Sequence, residues 1–249
     1  MDDRRLGRRL AGLVKGAWTG RASPRDHALY VAGVLVVYFA GVVVSASVYP
    51  GGFSPLRVYV SYLGGSEENP AGHVVYNACT LVAGVLLFPH FGVLIPRRMA
   101  FARRPLRCLT GAFGSLGTLG FASLGVFYQG TPEALHGAAT YLAFGGFGAA
   151  LFIALLAVLA DALSGNPRVV RVRVAAVVYG LALAILAGAL LLDQFGEALL
   201  SGLVDPAFYG NRFMEWWYFS ATLVGVCGLP SVLPAARPQP PSSNSNRNR

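Results

Sequence analysis

Six apolar runs, each about as long as a bilayer is thick, constrain this chain more than any other feature. They cover residues 28–49, 73–95, 107–128, 135–160, 174–193 and 213–234. A helix of about 20 residues, rising about 1.5 Å per residue, crosses about 30 Å of hydrocarbon. Lipid offers no partner to a bare backbone N–H or C=O, so spans of this kind are helices. The expected fold is therefore all-α: a polytopic membrane protein, a six-helix transmembrane bundle over residues 28–234. Composition agrees, since 12% of the residues are charged where a soluble domain carries about 25%.

The arginines sort the loops by side. Eighteen of the twenty Lys and Arg fall in residues 1–27, the 96–107 and 161–173 loops and the tail, leaving Arg57 and Arg212 on the other side. The positive-inside rule places the basic side, with both termini, in the cytoplasm of a multi-pass protein of the cell membrane. The net charge of +9 is thereby assigned to topology, and nucleic acid is not an expected partner. Residues 1–27 carry Leu6, Leu10, Leu13, Val14 and Trp18 at helical spacing among seven basic residues. An amphipathic helix on an anionic leaflet and a basic tail that only sets topology both fit that pattern. Residues 235–249, rich in Pro, Ser and Asn, are expected to be a disordered cytoplasmic tail. Ser45-Ala46-Ser47 resembles a signal-peptidase site, but the run before it is span-length with a long basic lead, so no cleavage is expected. Cys79, Cys108 and Cys227 show no paired spacing, so neither a disulfide framework nor a zinc–cysteine site is expected.

Glycine is patterned. Gly111, Gly114, Gly117 and Gly120 recur every third residue in the third run, and Ala143, Gly145, Gly146, Gly148 and Ala149 crowd the fourth. Small residues let helix backbones approach closely in lipid, within the chain or between this chain and another copy or membrane protein. A hinge is the alternative use.

Polar groups gather toward the outer side. The stretch Ser61 to Asn77, SYLGGSEENPAGHVVYN, joins the first two runs. Within it His73 and Asn77, four apart, share a helix face. His136 opens the fourth run with Thr140 on its face, Asp193 ends the fifth, and Arg212 and Glu215 open the sixth. Ionisable groups in a bilayer usually face the bundle interior, so a shared polar pocket is expected there; six separate helix-end anchors are the alternative. His136, Glu215 and Ser61 are the candidate catalytic groups. Asn69, His73, Asn77, Asp193 and Arg212 are the candidate lipid-binding groups. His73, His136, Asp193 and Glu215 have metal-ligand chemistry, but the chain has no HExxH or HxxxH pattern, and no metal or other cofactor is expected. No GxSxG elbow surrounds Ser61, which leaves open whether the protein is an enzyme. His90, beyond a kinking Pro89, reads as a packed residue.

Ser61-Tyr62-Leu63-Gly64, then Asn69-Pro70-Ala71-Gly72, then Asn77 within the second run resembles the loop of an uncharacterised prokaryotic six-span membrane family related to the DRAM autophagy modulators and FRAG/PGAP-type proteins. Leu135-His136-Gly137-Ala138-Ala139 is similar too, as is Gly210-x-Arg212-x-x-Glu215, although that family more often places Glu or Gln directly beside the Arg. The resemblance covers residues 28–234. Its eukaryotic members are linked to GPI-lipid remodelling and membrane trafficking; for the prokaryotic branch it implies no settled activity. It marks Ser61, Gly64, Asn69, Asn77, His136 and Arg212 as positions to test.

Three functions follow as expectations. The first is a protein that binds or modifies a membrane lipid at the outer mouth. The second is a non-catalytic scaffold that meets its own copies or another membrane protein through the glycine-rich faces. The third, a small-solute transporter, is disfavoured by the lack of an internal repeat and of mid-membrane charge.

Overall fold

The computed structural model describes residues 3–163, 170–171, 173–181, 184, 202–203 and 211–233, and every regular element among them is helical. Helix α1 spans Asp3–Thr19. Helix α2, Pro24–Ser47, starts where the Ser23 hydroxyl accepts the Asp26 amide at 3.1 Å and Pro24 takes the first turn, a position whose N–H needs no partner. A long loop holds one 3₁₀ turn, Ser61–Gly64. Helix α3 follows at His73–Pro89.

Pro89 lacks the N–H that would continue the ladder, and the backbone answers with a π-helical turn at His90–Leu94 before resuming as α4, Ile95–Arg98. The three pieces form one 26-residue apolar rod, His73–Arg98. Helices α5 (Arg104–Leu124), α6 (Glu133–Leu163) and α7 (Asn211–Val232) complete the labelled set.

Three helical stretches among the described residues are long and apolar enough to cross a membrane: Pro24–Ser47, His73–Arg98 and Glu133–Leu163, with mean hydropathies of 2.3, 2.1 and 2.4. They correspond to the first, second and fourth apolar runs. Helices α5 and α7 coincide with the third and sixth, but Gly, Ser and Thr dilute the hydropathy of α5, and Asn, Arg, Glu and Trp that of α7. The fifth run lies largely outside the described residues, with 173–181 and 184 helical. The outer faces of these helices are themselves apolar, as Val36 at 68% and Val43 at 64% exposure on α2 show. Such surface suits a membrane-embedded protein and not one bathed in water.

Close backbone approach builds the core. A Cβ on Gly120 would strike the Ala143 amide, and one on Gly146 would strike the Gly117 backbone. Gly84 meets Ala122 across α3 and α5 in the same way, and Gly41 of α2 meets Cys79 of α3. Between these contacts runs a chain of rings. Tyr38 lies 5.4 Å from Phe121 and 5.0 Å from Phe219, and Phe147 bridges Phe121 to Phe91 at 6.3 and 5.4 Å. Each buried ring of this kind removes about 150–250 Å² from solvent.

At the end of the bundle that carries α1, Trp18 stacks on Phe88 at 6.3 Å, and the Arg97 guanidinium donates to the Thr19 carbonyl at 2.8 Å. Leu10, Val14 and Trp18 stay exposed as a stripe along α1.

Candidate functional site

The opposite end is closed by the loop between α2 and α3, and side chains from several helices hold that loop in place. Asn69, fully buried, is its hub. Its Nδ2 donates to the Ser45 Oγ at 2.7 Å, the Leu63 carbonyl at 3.1 Å and the Ser45 carbonyl at 3.2 Å, while its Oδ1 accepts the Gly72 amide. Asn77, a turn into α3, donates to the Gly64 carbonyl at 2.9 Å. From α7, the Glu215 carboxylate accepts the Val60 amide at 2.8 Å and the Trp216 indole donates to the Val58 carbonyl at 2.9 Å. The Ser61 hydroxyl and amide face the same carboxylate.

His136, one turn into α6, lies with Nδ1 2.8 Å from the Phe127 carbonyl. A carbonyl only accepts, so Nδ1 carries a proton, and in the neutral ring the lone pair is then on Nε2. Thr140 donates to the His136 carbonyl at 2.9 Å, which holds its hydroxyl on the same face.

These placements open an indented cleft of about 580 Å³ between the loop, the start of α6 and the start of α7, with Ser61, His136, Thr140 and Glu215 in its wall. The same four residues line a smaller chamber of about 30 Å³ behind it, which Asn77, Tyr38 and Tyr76 also border. The chamber is water-sized, and the cleft falls within the range of small-ligand sites, about 300–1,000 Å³. The Asn77 Oδ1 is buried with no hydrogen-bond partner among the described residues.

The structure thus brings Ser61, His136 and Glu215 into one wall, with Asn77 just behind. It does not bring the other candidates there. Asn69 has its amide engaged by the loop. His73 turns Nδ1 to the Pro70 carbonyl at 3.1 Å and lies against Tyr128. Arg212 and Glu215, three apart, do not face each other: the guanidinium sits 5.6 Å above the Tyr59 ring at the cleft edge. Asp193 lies outside the described residues. Among the described residues no three of His, Cys, Asp and Glu gather closely enough to hold a metal ion.

The sequence model of a family described as "Protein of unknown function (DUF998)" matches residues 31–205, well over half of the chain. The chain belongs to the DUF998 family. Neither the curated proteins nor the solved structures contain a match to it. The DUF998 match takes in Ser61, Asn69, His73, Asn77 and His136 and stops before Arg212 and Glu215. In this DUF998 chain the cleft is therefore built from the family-matched stretch on two sides and from α7, beyond it, on the third.

Sequence reasoning missed two side-chain pairs. Tyr38 and Tyr76 meet hydroxyl to hydroxyl at 3.1 Å, both buried beside the small chamber. The available signal was a phenol in the middle of an apolar run, which needs a polar partner. Replacing Tyr38 with Phe removes that hydrogen bond with little change of shape, so it is expected to cost about 1 kcal/mol. A drop of a few degrees in the thermal unfolding midpoint in detergent would register it; an unchanged midpoint would show that the bond contributes nothing. The second pair is His27 and His90, fully buried and 2.8 Å apart between Nε2 and Nδ1, at the α1 end of the bundle and away from the cleft.

Proposed function

We propose that this chain is a six-span protein of the cell membrane with both termini in the cytoplasm, and that its outer-side cleft binds the head group of a membrane lipid. The observation that carries the reading is the convergence of Ser61, His136 and Glu215 on one open cleft of about 580 Å³. The arginine asymmetry supports the orientation, since it sets the loop-covered end opposite the basic loops. The kinship with the DRAM and FRAG/PGAP-type proteins belongs to the same proposal and rests on the loop and helix-start motifs. Chemically the wall offers a histidine with one free lone pair, a hydroxyl and a carboxylate, a set that hydrogen-bonds a polar head group and serves acid–base chemistry on one.

Native mass spectrometry of the full chain released from lipid nanodiscs tests the reading. A defined lipid adduct on the parent protein, lost in His136→Ala, is the expected result. A parent protein without adduct, or an adduct indifferent to that change, would overturn it.

One observation favours the scaffold as a second reading. Gly33 on α2 and Gly145 on α6 meet nothing within 4 Å, so small-residue faces are left on the outside of the bundle. An oligomer or partner complex that Gly33→Leu and Gly145→Leu dissolve would favour it over the lipid cleft.

A further inference from the structure

The chemistry of the cleft wall narrows the head group it takes. Resting on the lipid-cleft reading above, we infer that the ligand carries an ammonium group, as the ethanolamine and choline head groups do.

Charge is the first argument. Two carboxylates line the cleft, Glu215 and Glu133, and no Lys or Arg lines it among the described residues. Glu215 is held by the Val60 amide and by Ser61, and among the described residues no cation closes an ion pair with it. Buried carboxylates are normally matched by a cation or a full set of hydrogen bonds. An anionic head group brought into this wall would meet the acceptor oxygens of Glu215 and Glu133 and no cationic side chain among the described lining residues.

Aromatic faces are the second argument, and they stand apart from the first. Tyr59, Tyr62 and Tyr141 line the same cleft. The Tyr59 and Tyr62 rings lie 5.1 Å apart between centroids and are tilted by 58°, so they form a corner and not a stack. Tyr141 is 82% exposed at the rim. Tilted tyrosine faces beside carboxylates are what an alkylammonium needs, because the ring quadrupole attracts a cation without demanding directed hydrogen bonds. Tyr59 already accepts one cation on its ring, the Arg212 guanidinium at 5.6 Å. That arginine stands at the edge of the cleft. A zwitterionic head group would then lie with its ammonium among the tyrosines and carboxylates and its phosphate toward Arg212, whose fork of N–H groups suits phosphate oxygens.

The test uses the full chain in mild detergent, titrated in native mass spectrometry with phosphatidylethanolamine, phosphatidylcholine and phosphatidylglycerol of identical acyl chains. The two amine lipids should occupy the protein about tenfold more than phosphatidylglycerol, the ratio that one desolvated cation–ring contact supplies. Tyr59→Leu with Tyr62→Leu should bring the ratio within about twofold. Equal occupancy by all three lipids, lost together in His136→Ala, would overturn the ammonium inference and leave the lipid cleft standing. No His136-dependent occupancy by any lipid would overturn the lipid cleft, and with no response to free choline or ethanolamine it would overturn the ammonium inference as well. A parallel arm adds millimolar free choline or free ethanolamine without lipid. A rise in the unfolding midpoint that requires Tyr59 and Tyr62, in a protein that takes no lipid, would retain the ammonium chemistry and assign it to a soluble amine.

Discussion

Gly146→Ala is expected to abolish or severely weaken the fold, while Gly145→Ala, one residue earlier, leaves it intact. The two glycines differ only in direction. The Cβ of an alanine at 146 would be driven into the Gly117 backbone and the Phe113 carbonyl, at 2.6 Å and 2.8 Å for the Gly117 Cα and the carbonyl oxygen. Backbone does not yield as a flexible side-chain tip does, so α5 and α6 must separate. Overpacking of a tight core typically costs about 1–3 kcal/mol and sometimes more; here the separation would also loosen the contacts of Gly117 with Phe147 and of Gly120 with Ala143. We therefore expect a loss at or above about 3 kcal/mol for Gly146→Ala. Gly145 has nothing within 4 Å of its would-be Cβ, and alanine is the better helix former by about 1 kcal/mol. Fluorescence-detected size exclusion after a temperature series checks both: Gly146→Ala should aggregate well below the parent midpoint, and Gly145→Ala should match or exceed it. Equal behaviour of the two variants would show that the close α5–α6 crossing is not what holds the bundle.

The glycine stripe shows how far sequence carries and where it stops. The three-residue repeat from Gly111 to Gly120 announces close packing, but it does not say against what. A step of three residues falls short of a 3.6-residue turn by about 60°, so the stripe winds around α5. Its first members face Pro96 and Phe91, at the distorted end of α3, and its last members face α6. Pro89 was legible as a break, yet the π-helical form of the break and the burial of His90 against His27, 63 residues away, come from three-dimensional contact that no local period encodes. The helical character and long apolar rods were legible because lipid-length runs admit little else. The cleft's members were legible as candidates, since His136 and Glu215 are polar groups at the edge of apolar runs and Ser61 opens the polar stretch that joins the first two. The tyrosine corner was not, because Tyr59 and Tyr62 sit in a loop whose shape is imposed by Glu215, Trp216 and Asn77 from neighbouring helices and by Asn69 within the loop.

That dependence makes Asn69 the second position where a small change should have a large effect. Asn69→Asp alters one group by a single atom and keeps the volume. Its Oδ1 can still accept the Gly72 amide, but the other oxygen would replace an Nδ2 that donates to the Leu63 and Ser45 carbonyls and to the Ser45 hydroxyl. Two carbonyl oxygens would then face a carboxylate oxygen in a site with no solvent exposure at Asn69. Losing the donor removes the side-chain partner of the Ser45 carbonyl and one of the two donors to the Leu63 carbonyl, at about 1–3 kcal/mol for an unsatisfied buried group, and the added charge has no counterion there among the described residues. Only the Ser45 hydroxyl can reverse its role, and it already donates to the Leu63 carbonyl at 2.9 Å. A total near 3 kcal/mol or more is expected, along with a loosened turn at Ser61–Gly64. Asn69→Ser, smaller but still a donor, should lose less. The decisive readout is hydrogen exchange of the 58–66 amides alongside the unfolding midpoint. Faster exchange confined to that segment in Asn69→Asp, with α5 and α6 protected as in the parent, would identify Asn69 as the residue that shapes the cleft's roof. Unchanged exchange there would mean that Glu215 and Asn77 hold the loop without it.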